Sequence, residues 1–232
     1  MKVLIIIPAY NEAENILSTI ADIKTYCADV DYVIINDCST DKTGELLAEN
    51  GAVYLDLPIN LGIGGGVQTG YRYAESHGYD IAIQLDGDGQ HDARYINDLI
   101  APIERGEADF VVGSRFIEKT GFQSSAMRRA GILFLSTLIY MLCKVRVKDV
   151  TSGMRAANKE MIHEFAQDYA QDYPEPEAIL SAGLKGARIV EVPVEMRERQ
   201  GGVSSISPLK SVYYMVKVSL SLILSRLCCK RR

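Results

Sequence analysis

Asp86 and Asp88 flank Gly87 directly behind the apolar run of residues 81–85, and Gln90, His91 and Asp92 follow. Two carboxylates at the end of a strand-like run cost several kcal/mol to desolvate unless something pairs with them. A hard divalent cation fits, because it takes oxygen ligands and bridges protein carboxylates to substrate phosphates. Gly87 lets backbone come close to phosphate, and Gln90 offers a third oxygen. The pattern implies an enzyme that holds a metal-bound nucleotide at the end of a central strand. A calcium loop of the EF-hand kind also begins D-x-D, but it needs Gly at its sixth position and an acid at its twelfth. His91 and Asn97 stand there instead. A solvated acidic turn is the plain alternative.

Asp37 follows a second apolar run and precedes Ser39 and Thr40, so it can accept hydrogen bonds from a base or ribose. It can equally cap the next helix, a role Asp41 can also fill. Residues 62–66 read Gly-Ile-Gly-Gly-Gly. They match neither a dinucleotide fingerprint nor a P-loop, because Val67, Thr69, Tyr71 and Arg72 stand where those motifs need other residues. What remains is a helix N-terminus open to an anion or sugar, or a purely conformational role. Arg115, Arg128, Arg129, Arg155, Arg197 and Arg199 are the other signal, since guanidinium forks match phosphate oxygens. Arg115, after a strand, and Arg197 with Arg199, before the Gln200-Gly201-Gly202 stretch, are the preferred phosphate ligands. Residues 200–205 read as a loop that closes over substrate. Asp149, Glu175 and Glu177 are candidate general bases. The three histidines show no metal spacing, and His77 and His163 read as surface residues.

Parallel strands must carry these groups. Residues 3–7, 32–35, 52–55, 81–85, 110–112 and 189–194 are short apolar runs, and helix signals separate the first five. Asn11 is expected to cap a helix to about Tyr26. Further helices are expected over 41–50, from the glycine run to His77, over 93–105 and over 174–184, with 150–155 a turn. The predicted fold is α/β: a mostly parallel, doubly wound sheet whose ligands bind at the carboxyl ends of its strands. Residues 130–143 and 212–227 are amphipathic and flanked by Lys and Arg. The first is too short to span a bilayer. Both suit contact with an anionic membrane surface, each nearby cation being worth about 1 kcal/mol. The alternative is that both pack on the sheet or on another subunit.

The chain has 232 residues, 47% hydrophobic and 24% charged, with a net charge of −5. That composition fits a folded domain and argues against nucleic acid as a partner. Five cysteines with no C-x-x-C suggest reduced thiols in the cytosol. The apolar start reads as a first strand rather than a signal peptide.

In order, Ile7-Pro8-Ala9-Tyr10-Asn11-Glu12, Asn36-Asp37-Cys38-Ser39-Thr40-Asp41, Asn60-Leu61-Gly62, Leu85-Asp86-Gly87-Asp88-Gly89-Gln90-His91, Gly113-Ser114-Arg115-Phe116, Asp149 with Ser152-Gly153-Met154-Arg155-Ala156, and Val192-Pro193-Val194 running to Arg199 resemble glycosyltransferase family 2. Within it they resemble the polyprenyl-phosphate glycosyltransferases, such as dolichol-phosphate mannose synthases and their undecaprenyl-phosphate relatives. The resemblance implies a GT-A fold over residues 1–205, with 206–232 as a membrane- or partner-associating segment. It also implies a nucleotide-diphosphate sugar donor, Mg²⁺ or Mn²⁺, and inversion at the anomeric carbon. Pro8, Tyr10, Glu12, Asp37 and Asp86 would bind the nucleotide, and Asp86, Asp88 and Gln90 the metal. Asp86, Asp88 and Arg115 would be catalytic. Arg128, Arg129, Arg155, Arg197, Arg199 and Ser204 would serve donor or acceptor phosphates. The expected reaction is sugar transfer to undecaprenyl phosphate for cell-envelope glycans, with UDP-glucose or UDP-N-acetylglucosamine the preferred donor. A glycan hydroxyl is the alternative acceptor. A nucleotidyltransferase or a non-catalytic nucleotide-sugar-binding module is the alternative of another class. Many relatives continue into transmembrane helices, whereas this sequence ends at Arg232. Attachment is therefore expected to be peripheral, at the cytoplasmic face, directly or through a small membrane protein. A homo-oligomer is a further candidate.

Overall fold

The computed structural model of the protein describes residues 1–118, 126–197 and 208–228. Within them lie strands β1 (Val3–Ala9), β2 (Asp31–Asn36), β3 (Tyr54–Asp56), β4 (Ile81–Gln84), β5 (Phe110–Ser114), β6 (Arg155–Asn158) and β7 (Ile189–Pro193). They form one sheet in the order β3-β2-β1-β4-β6-β5-β7. Neighbours pair in parallel except β6, which runs antiparallel between β4 and β5. The expectation of a mostly parallel sheet holds, with all the predicted strands present.

The runs of β1 and β2 are continuous because both faces of the sheet are covered. Ile5, Ile7 and Ile34 pack with Ile16, Ile20 and Ile23 of α1 (Ile16–Tyr26), Leu47 of α2 (Thr43–Glu49) and Leu99 of α4 (Ile96–Glu104). Leu4, Ile6, Val33 and Ile35 face the other way. There they meet a layer built from α3 (Gly62–Ser76), α5 (Ala126–Cys143), α6 (Lys159–Gln167), α7 (Pro174–Leu184) and α8 (Pro208–Cys228).

Three local expectations are corrected. Asn11 does not cap α1: it sits at φ +57°, and its Oδ1 accepts the Thr40 N–H at 2.8 Å, tying the β1 and β2 loops together. The 150–155 turn runs into β6, which Ala156 and Ala157 concealed, because alanine carries little strand signal. Both are fully buried. Finally, α6 follows an unrecognised cap, in which Asn158 Oδ1 accepts the Met161 N–H at 2.9 Å.

The two amphipathic segments, α5 and α8, lie side by side and parallel. Gly131 faces Met215 near their starts, and Arg226 Nε donates to the Leu142 carbonyl at 3.0 Å near their ends. Val218 and Leu222 of α8 belong to the core. Its polar stripe turns toward the protein: Ser221 donates to Glu177 at 2.8 Å, and Lys217 pairs with Asp172 at 3.3 Å. Large apolar side chains point outward instead, including Leu133, Phe134 and Met141 on α5 and Val216, Leu220, Leu224 and Leu227 on α8. No described helix is long and apolar enough to cross a membrane.

Candidate active site

An open cleft of about 370 Å³ lies at the carboxyl ends of β1, β2 and β4. Pro8, Ala9, Tyr10 and Glu12 come from the β1 end, Asp37 from β2, and Asp86, Gly87 and Asp88 from β4. Asn60, Gly62, Ile63 and Gly66, at the start of α3, close the far side. The cleft therefore gathers Pro8, Tyr10, Glu12, Asp37, Asp86 and Asp88, as the strand-end argument requires.

Local bonds shape its walls. Asp37 is buried, and its Oδ1 accepts the Leu61 N–H at 2.7 Å, which fixes the entry to α3. Capping of α2 falls to Asp41, which accepts from the Thr43 N–H at 2.9 Å. The glycine run serves packing: a Cβ at Gly64 would stand 2.1 Å from the Ala170 carbonyl oxygen. Tyr10 is half exposed at the mouth, and Glu12 accepts from Asn15 at 3.1 Å.

The acid pair is held from behind. Gln84 Nε2 donates to Asp86 Oδ1 at 3.3 Å, and the Asp86 N–H donates to His91 Nδ1 at 2.9 Å. That bond leaves the proton of a neutral His91 on Nε2, 3.5 Å from Asp86 Oδ2. A Cβ at Gly153 would lie 2.6 Å from the same oxygen, so only glycine lets this turn pack against the carboxylate. Asp88 Oδ1 accepts the Gln90 N–H at 3.0 Å. Gln84, His91 and Gly153 form a second layer that the sequence reading missed; the Gln84–Asp86 spacing on a strand, where alternate residues share a face, was the available signal.

The arginines part company with expectation. Arg115 is buried and forks onto Asp149, with Nε–Oδ2 2.6 Å and Nη2–Oδ1 2.7 Å, while Nη2 also donates to Thr151 at 3.0 Å. Its assignment as a catalytic phosphate ligand is corrected to one half of a buried ion pair, because two such charges compensate each other's desolvation. Asp149, fully buried in that pair, is likewise not a base facing the cleft. Arg155 is fully buried and cannot meet an acceptor. Arg197 pairs with Asp92 at 3.2 Å and with Asp22. Burial pushes the Asp92 carboxyl up, but its bonds to Arg94 and the Arg197 charge outweigh this and hold it below the usual range. Arg129 is exposed on α5. The Arg128 side chain, Arg199, Ser204 and the 200–205 loop lie outside the described residues.

Glu175, half-buried at the first turn of α7, behaves differently. Burial first, and then the Asp86 charge, push its carboxyl above the ordinary range against the pull of Arg155. The 173–177 stretch therefore sits beside the acid pair. Glu177 is also pushed up by burial, but it accepts from Ser221 on the α8 side.

The donor set suits a hard divalent ion. Asp86 and Asp88 are half-buried carboxylates on the cleft wall, and Gln90 beside them is also half-buried. Among the described residues no group of three His, Cys, Asp or Glu side chains is gathered for a metal. A metal here would draw its remaining oxygens from phosphate and water, the usual arrangement for Mg²⁺ with a nucleotide.

The family model of glycosyl transferase family 2 matches residues 4–165. An undecaprenyl-phosphate mannosyltransferase of Micrococcus luteus is 28% identical over 89% of this chain and 88% of its own length. A polyprenol monophosphomannose synthase of Mycolicibacterium smegmatis is 29% identical, covering 94% and 86%. Glucosyl-3-phosphoglycerate synthase of Mycobacterium tuberculosis, solved with Mn²⁺, UDP and product, superposes with a TM-score of 0.72 at 21% identity, over 97% of this chain and 79% of that one. The fold is that of the GT-A glycosyltransferases. With the family pattern spanning β1 to α6, the chain belongs to glycosyl transferase family 2 and is a glycosyltransferase.

Proposed function

We propose that the protein transfers a sugar, with inversion, from a nucleotide-diphosphate sugar to undecaprenyl phosphate at the cytoplasmic membrane face, for cell-envelope glycan modification. UDP-glucose and UDP-N-acetylglucosamine are the preferred donors. The carrying observation is that one chain joins a cleft ending in Asp86 and Asp88 to an outward apolar face on α5 and α8. Relatives named for polyprenyl-phosphate acceptors support the same reading.

In this reading Pro8, Tyr10, Glu12 and Asp37 seat the nucleoside, and Asp86, Asp88 and Gln90 hold Mg²⁺ or Mn²⁺. When bound, the metal supplies charge neutralisation on the departing nucleoside diphosphate. Asp86 and Asp88 keep the diphosphate end of the donor fixed at the head of β4. A lipid phosphate is already anionic near neutral pH, its second pKa being roughly 6, and needs positioning more than a base. A sugar hydroxyl needs a carboxylate base, and the burial of Asp149 against Arg115 weighs against that alternative. Arg128, Arg129, Arg199 and Ser204 remain the groups proposed for the acceptor phosphate.

Residues 206–232 and α5 make the membrane-facing side. Arg129, Lys144 and Arg146 on and after α5 add positive charge beside the apolar face, suited to an anionic surface. A small membrane protein or a second copy covering the face is the alternative. The test is purified full-length protein with Mn²⁺, a panel of radiolabelled UDP- and GDP-sugars, and undecaprenyl phosphate. An organic-extractable labelled product is expected, and its absence with every donor overturns the lipid acceptor.

A further inference from the structure

Arg155 is the largest fully buried side chain in the protein. It opposes Gln84 across the β4–β6 ladder and Val112 across the β5–β6 ladder. No carboxylate forks onto it. Its Nε donates to the Ser152 carbonyl at 2.6 Å and its Nη1 to the Glu175 carbonyl at 2.8 Å. Its Nη2 is buried with no hydrogen-bond partner among the described residues, and its guanidinium carbon lies 5.8 Å from the Phe110 ring centre. A buried cation in such a setting is costly, and an apolar side chain of similar volume would fill the space at lower cost. What an apolar side chain cannot do is grip two carbonyls from separate segments with one rigid, planar fork.

Those two segments flank Asp86. The first is the turn at Ser152 and Gly153, whose glycine packs on the Asp86 carboxylate and the His91 ring. The second is the first turn of α7, where the Glu175 carboxyl feels both Asp86 and Arg155. On the opposite strand, Gln84 donates to Asp86 and accepts from Tyr169 at 3.4 Å. We propose that Arg155 is a positioning residue for the metal site: by holding the Ser152–Gly153 turn and the start of α7, it fixes the place of the Asp86 carboxylate and so sets the divalent-metal affinity. This rests on the reading of Asp86 and Asp88 as metal ligands. Groups behind a metal's own ligands commonly change its affinity 10–100-fold, as they orient those ligands.

The experiment is a Mn²⁺ titration of the full-length protein followed by electron paramagnetic resonance in the presence of UDP, with thermal unfolding alongside. Wild type is expected to bind Mn²⁺ and Asp88→Ala to lose it; a wild type that binds none overturns the metal reading and the proposal with it. With wild-type binding in hand, folded Arg155→Met is expected to bind Mn²⁺ about tenfold more weakly. Its turnover should then recover at saturating Mn²⁺, which a purely structural lesion would not produce. Gly153→Ala, at a backbone position alanine tolerates, should give the same loss by pushing on Asp86 directly. Should Arg155→Met fail to fold, Arg155→Lys decides, since one ammonium cannot reproduce the two-carbonyl fork and weaker Mn²⁺ binding is again expected. Wild-type Mn²⁺ affinity in the folded Arg155 variant overturns the proposal.

Discussion

The two sides of the Asp86–Asp88 pair are built on opposite plans. On the donor side, polar groups from the ends of β1, β2 and β4 point into an open cleft. On the other side, the described arginines near the sheet turn inward, Arg115 onto Asp149 and Arg155 onto two carbonyls, while α5 and α8 turn apolar side chains outward. The cleft can give up its side chains to a ligand because solvent screens them meanwhile. Buried charges cannot be lent in that way, since losing a partner strands the other in low dielectric. A charged residue near this site is thus read by its burial before its type.

The largest expected effect probes the donor side. Asp88→Ala should lower turnover by about 10³-fold, or ~4 kcal/mol of barrier. As Asp88 is half-buried on the cleft wall, its urea midpoint should barely move. Arg115→Met should do the reverse, costing about 3–5 kcal/mol of stability by stranding Asp149. Unchanged stability with a raised donor KM would return Arg115 to the substrate and break the comparison.

A smaller effect concerns the outward face. Leu224→Asp on α8 should weaken partition onto anionic vesicles about tenfold, the loss of roughly 1.5–3 kcal/mol for one buried leucine. Turnover on a soluble short-chain prenyl phosphate should stay within twofold. Equal vesicle binding would hand the face to a protein partner.

The smallest is a pH effect in metal-free protein. Glu175 is pushed above its ordinary range by burial and by Asp86. Its contribution to stability is therefore fully present below the unfolded carboxyl pKa and is lost as pH rises through the folded one. Thermal unfolding of Glu175→Gln should show less of that loss toward neutral pH than wild type. A parallel pair of pH profiles would place the carboxyl in solvent.

Much of the donor side was legible because strand ends are local. Apolar runs at 3–7, 32–35 and 81–85 fixed three adjacent parallel strands, and whatever follows such strands converges. Pro8, Tyr10, Glu12, Asp37, Asp86 and Asp88 needed no further information to be grouped. The acceptor side was not legible, because its residues meet across long stretches of chain. Nothing near Arg115 in the sequence announces that Asp149, 34 positions on, completes its fork. The inward turn of Lys217 and Ser221 was equally hidden, since periodicity gives a helix two faces but not which one meets the core.

By itself, then, the sequence determined the order of strands and helices, the acid pair, and the family of the chain, since each rests on neighbouring residues and their spacing. The tertiary structure decided which charges are available. It inserted β6 antiparallel between β4 and β5, and so carried Arg155 into the interior behind Asp86. It also set α8 with its polar stripe against the acids of α7. Burial and pairing are properties of packed neighbours, and they decide whether an arginine meets a substrate or holds the fold.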